Sequence, residues 1–205
     1  MMDTYNYSLK PHVQTTVEKV ISTEVRPLSL HESEKSINFE FKLAENEVWD
    51  INETYLHLKL KIKVEAEEDE QPDYAGIVPI QYICNTMFSQ AIIKVNGCPI
   101  VINDSGTFPY KAWLEAKLAY AKSAKNSHLS TAMWIPSQTD LAMRVGAGTE
   151  FEAIGRLHFD LTHQPKPIPG GTRIEIQLTR ALSPFVLHCM KKSCLLYTSP
   201  SPRDS

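Results

Sequence analysis

The ten residues from Tyr55 to Val64, YLHLKLKIKV, constrain the fold more than any other stretch of the chain. Leu56, Leu58, Leu60, Ile62 and Val64 fall on one side; Tyr55, His57, Lys59, Lys61 and Lys63 fall on the other. A helix would scatter these lysines around its surface, and only a period of two collects them. The segment therefore reads as a half-buried strand, ~33 Å long, enough to cross a domain.

Other segments repeat the pattern. Ile37 to Leu43 alternates Ile37, Phe39, Phe41 and Leu43 against Asn38, Glu40 and Lys42. Phe151 to Leu161 places Leu157, Phe159 and Leu161 inside and Arg156, His158 and Asp160 outside. Thr172 to Thr179 places Ile174, Ile176 and Leu178 inside and Arg173, Glu175 and Gln177 outside. Ala91 to Val95 and Pro99 to Ile102 flank Asn96-Gly97, a pair that tolerates the positive φ of a two-residue hairpin turn. Phe185 to Leu187 is a short last strand or the start of a connection onward. Val25 to Leu30 is an extended lead-in, and Pro27 suits it to an edge.

A helix pattern interrupts these strands. Pro109 pre-sets a helix start, and Tyr110, Trp113, Leu114, Leu118 and Ala121 follow at helical spacing. One inserted helix over about 109–122 is expected, with that set as its apolar face. Gln81 to Ser89 reads as a short helix under the sheet. Glu65 to Asp73 reads as an acidic loop, Ser137 to Gly148 as a polar loop, and Pro165 to Gly171 as a turn. Antiparallel sheets with one wet face produce such alternation. The expected class is all-β, an antiparallel jelly-roll sandwich carrying one helix. No Cys…Trp…Cys spacing supports an immunoglobulin-type sandwich. Residues 1–22 read as a polar N-terminal arm, and 23–193 as the folded domain.

Composition narrows the function. The net charge is -3, with no basic excess to attract nucleic acid. Cys84, Cys98 and Cys189 are too scattered for a disulfide framework or a zinc pattern. No apolar run reaches the ~18 residues of a transmembrane helix. The first residues, MMDTYNYSLKPHVQ, lack an apolar signal region.

Candidate chemistry is sparse. His158 and His163 stand five apart in an extended pattern, on opposite faces, and His57 stands alone among lysines, so all read as surface groups and no metal site is expected. Gly146-Ala147-Gly148 follows no buried strand and starts no helix, which argues against a phosphate cradle. Lys59, Lys61 and Lys63 read as a solvent or subunit face paired with acidic neighbours across the strand. Ser105, Ser127 and the cysteines have no base partner at readable spacing, so no nucleophilic catalysis and no cofactor are expected. Tyr110, Trp113, Tyr120 and Trp134 read as core rather than as a stacking platform.

The block from Phe108 to Trp134, FPYKAWLEAKLAYAKSAKNSHLSTAMW, carries a family resemblance. Its Phe108-Pro109-Tyr110 start, its Lys125-Asn126-Ser127 run, Leu129 and Trp134 resemble the hexon-type major capsid protein of Polinton-like elements and adintoviruses. Residues 85–97 (NTMFSQAIIKVNG), the strand IGRLHFDL with Gly155 and Arg156, and the stretch from Ile174 to Phe185 are similar to that family in order and spacing. The resemblance implies a double jelly-roll protomer, three of which form a pseudo-hexagonal capsomer of an icosahedral shell. Its implied partners are further copies of itself and a minor capsid protein, and its implied place is the virion. It implies no enzyme activity, membrane contact or small-molecule substrate. A single jelly-roll minor (penton) capsid protein and a host jelly-roll binding module are the alternatives. Residues Cys194 to Asp204, CLLYTSPSPRD, resemble a sequencing adapter translated in one frame. Residues 194–205 are accordingly set apart from the fold. The chain is expected to hold the first jelly roll of a pair, with the protein continuing beyond Ser193.

Overall fold

A computed structural model describes residues 17–28, 35–63, 76–103, 106–145, 148–163 and 166–189. The acidic loop, Gly146-Ala147, Ser105, the first sixteen residues of the arm and the segment 194–205 lie outside the described residues.

The lysine ladder forms strand β2 (Tyr55–Lys61), as its period requires. Leu56 and Leu58 are buried, and Tyr55, His57, Lys59 and Lys61 face water. β2 pairs antiparallel with β6 (Glu150–Arg156), setting Lys59 opposite Glu152 and Lys61 opposite Glu150. The lysines thus meet carboxylates across the strand, an arrangement that relieves their mutual repulsion.

A second sheet holds β1 (Ser36–Lys42), β7 (Arg173–Arg180), β4 (Phe88–Val95) and β5 (Cys98–Asn103), in that spatial order and antiparallel throughout. Ile37, Ala91, Ile93, Ile174, Ile176 and Leu178 supply its buried face. Asn96 and Gly97 take φ of 51° and 80°, the conformation expected of the hairpin turn. The turn is also fixed to β7: Asn96 Oδ1 accepts from Arg173 N–H at 2.9 Å, and Asn96 N–H donates to Arg173 O at 2.8 Å. Leu28 N–H donates to Asn38 O at 2.8 Å, so the lead-in meets the edge strand β1. A third, short ladder pairs β3 (Ile77–Pro79) with β8 (Leu187–Cys189).

Helices are more prominent than the single expected insertion. The described residues include α1 (Ile83–Thr86), α2 (Phe108–Ala119), α3 (Lys122–Asn126), α4 (His128–Thr131), α5 (Gln138–Val145) and α6 (Ser183–Val186). The fold is sheet-rich with a helical block between β5 and β6, rather than all-β with one helix. Helix α5 replaces much of the expected loop. Leu141 and Val145, four apart, are buried, and Ser137 Oγ accepts from Asp140 N–H at 3.3 Å at its start.

Two expected faces are corrected. On α2 the buried residues are Phe108, Pro109, Ala112 and Ala116. Tyr110, Leu114 and Leu118 remain 59%, 48% and 80% exposed. The alanines let the helix lie close against α1 and β4, which larger side chains would hold off. The second correction concerns the end of β6. The strand stops at Arg156, and Asp160–His163 turn as a 3-10 helix. Leu157 and Phe159 are buried, and so is His158, which alternation had placed in water. Buried residues of both larger sheets and of the helical block form one contiguous core.

Candidate functional site: the helical block and its dock on the strands

Four of the ten signature residues, Lys125, Leu129, Trp134 and Gly155, meet where the helical block packs on α1 and β6. The chain enters α1 through Tyr82, held at φ 64° and almost wholly buried. Tyr82 N–H donates to Met133 O at 2.9 Å, and burial pushes its phenol well above the usual range. Buried Asn85 then joins two elements: Nδ2 donates to Arg156 O at 2.9 Å, and Oδ1 accepts from His158 N–H at 3.2 Å. Gln81 makes a second clamp, accepting from Trp113 Nε1 at 3.2 Å and donating to Ile135 O at 2.9 Å.

Trp134 lies at the centre of an aromatic group. Its ring stacks on Trp113 at 6.1 Å and meets Tyr82 edge-on at 5.6 Å. Lys117 sits 4.4 Å above the Trp113 ring, and Lys125 sits 5.5 Å above that of Trp134. These cations favour the negative ring faces and shield them from water. Trp113 and Trp134 therefore act as packing groups, with Leu129 buried beside them. Tyr120 contacts the rings of His128 and His158.

Gly155 explains how the block comes so close. A β-carbon there would lie 2.7 Å from Ala132 Cβ and 3.2 Å from Cys84 Sγ. Glycine is needed for this approach, not for unusual backbone angles. Cys84 is fully buried, and desolvation pushes its thiol up to about 12, so it is held as an inert core group.

The other signature residues have different surroundings. Phe108 packs on Phe159 at 5.5 Å and anchors the start of α2 beside Pro109. Tyr110 faces outward against Phe185 at 5.5 Å. Asn126 is exposed at the end of α3, and Ser127 Oγ donates to Ser123 O at 2.9 Å, closing that helix. Arg156 lies on the wet face of β6, with Nη2 2.9 Å from Glu53 Oε1 and the guanidinium 5.4 Å from the Tyr55 ring centre.

The residue that sequence reasoning missed is His158. Its Nδ1 lies 3.0 Å from Glu115 Oε2 on α2. Tyr82 and His163 present their rings at 5.6 Å and 5.3 Å. Burial lowers its pKa, outweighing the hydrogen bond to Glu115, which raises it. His57, by contrast, lies on the wet face as expected, 3.1 Å from Glu152. Among the described residues no three His, Cys, Asp or Glu side chains are grouped to hold a metal ion. No described helix is long and apolar enough to cross a membrane.

No protein-family model matches the chain, and no curated protein matches it in sequence.

Proposed function

We propose that this chain is a structural capsid protein, the first jelly roll of a double jelly-roll protomer of the Polinton and adintovirus type. The observation that carries the reading is the nesting of two of its strand pairs. β1 pairs with β7 and β2 pairs with β6, one pair inside the other along the chain. Strands consecutive in each arm, β1 with β2 and β6 with β7, belong to different sheets. A long antiparallel hairpin rolled across two sheets, as in a jelly roll, would produce this connectivity, and that supports the reading. The short β3–β8 ladder and the helical block are additions to these two nested pairs.

Two further features support the reading. The signature residues Trp134, Lys125, Leu129 and Gly155 share one packed dock, as expected of structural positions. Tyr110, Leu114 and Leu118 leave an apolar stripe exposed on α2, which suits a subunit that associates with others. The function proposed is self-association into trimeric, pseudo-hexagonal capsomers of a virion shell, alongside a minor capsid protein.

A long read of the source transcript across the Ser193 codon tests this reading. The expected result is an open frame carrying a second series of alternating strands, whose full product forms trimers by light scattering. Residues 1–193 alone are expected not to form discrete trimers. A stop codon soon after Ser193 would overturn the double jelly-roll reading and favour the single jelly-roll minor capsid protein.

A further inference from the structure

His158 and Glu115 face each other across the seam between α2 and the segment that follows β6. The His158 side chain is 3% exposed and that of Glu115 is 40% exposed. Titratable groups surround the imidazole from each packed element. From α2 comes Lys111, whose Nζ lies 2.7 Å from Asp160 Oδ1 and 3.8 Å from Glu115 Oε1. Beyond α2 comes the ring of Tyr120, at 6.3 Å. From the entry to α1 comes Tyr82. From its own segment come Asp160 and His163. At neutral pH the charged members are Lys111 and the carboxylates of Glu115 and Asp160. Acid adds a cation on His158, where almost no water reaches.

We propose that this cluster is an acid-released latch: protonation of His158 loosens α2 from the segment 157–163 and opens the face that Phe108, Ala112 and Ala116 keep buried. Glu115 already reaches water, so an imidazolium that follows it outward regains hydration. That displacement parts the helix from the segment.

The sign follows from burial. Desolvation is the largest influence on His158 and lowers its pKa in the folded state. The unfolded chain therefore takes up the proton first. The dock is intact above about 6.5, the unperturbed imidazole value, and weakens as pH falls below it.

Hydrogen exchange read by mass spectrometry on the full chain tests the latch, with rates corrected for the intrinsic effect of pH. Peptides from α2 are expected to exchange several-fold faster at about pH 5.5 than at about pH 7.5, below the ceiling of about tenfold that one histidine sets, with β2 peptides unchanged. His158→Gln keeps an amide that can donate to Glu115, and it should abolish the difference. Glu115→Gln removes the carboxylate that offsets the buried charge, and it should enlarge the difference. No acid response in the wild-type chain, or an undiminished one in His158→Gln, would overturn the proposal. If His158→Gln fails to fold by circular dichroism, Glu115→Gln decides: a larger response supports the latch, and an equal or smaller one overturns it.

Discussion

Two histidine–glutamate pairs of nearly equal length occupy opposite settings in this molecule. His57 Nε2 lies 3.1 Å from Glu152 on the open face of β2 and β6, and both side chains are about half in water. His158 Nδ1 lies 3.0 Å from Glu115 at a seam of packed rings, with the histidine almost fully enclosed. On the open face, Lys59 also reaches Glu152, at 3.3 Å. The hydrogen bond from His57, and then that from Lys59, hold the Glu152 carboxyl below its usual range. Water and salt screen that group, so the shift conveys little stability. At the seam, losing Glu115 leaves His158 with almost no water to replace it. Bond length does not rank the two pairs; access to water does.

Four measurements would break or sharpen this contrast. The largest effect is expected from Phe159→Ala, beside the buried pair. Phe159 is fully enclosed and packs on Phe108, so the cavity should cost about 4 kcal/mol, read as a lower urea midpoint. Gly155→Val should cost about 2 kcal/mol or more, because the added β-carbon meets Ala132 and Cys84. An unchanged midpoint there would mean that the block does not sit against β6 as described. Asn85→Ala strips partners from Arg156 O and His158 N–H, and should cost about 2 kcal/mol in thermal or urea unfolding. The smallest effect is expected at the open pair. A double-mutant cycle at neutral pH should give a coupling of about 1 kcal/mol or more for His158 with Glu115. The same cycle on His57 and Glu152 should give a coupling within experimental error, and equal couplings would defeat the contrast.

The two settings also differ in how far local sequence discloses them. The β2 ladder is legible because water touches one side only, so Lys59 and Lys61 separate cleanly from Leu56 and Leu58. The Asn96-Gly97 hairpin is legible because its backbone needs the positive φ that few residues tolerate. The dock is different. His158 obeys the alternation of an outward residue, but α2, reaching it from Glu115 forty-three residues away, covers that side. On α2 the large residues Leu114 and Leu118 suggest one face, while Ala112 and Ala116 form the buried one. Close approach selects for small residues, and hydrophobic periodicity weights large ones. Helix α5 did carry a local signal. Ser137 and Asp140 have the spacing of a capping box, with Leu141 and Val145 following at helical spacing.

The enclosure of Cys84 makes this thiol a clock within the molecule. Cys98 is exposed and open to a thiol reagent from the start, whereas Cys84 is buried between α1 and β6. With its proton held tightly in the closed state, Cys84 reacts only in the moments when the dock opens. Peptide mapping of the label would compare the two sites within a single sample. The delay at Cys84 measures how often the helical block lifts from β6, with no tag or added probe group in the chain.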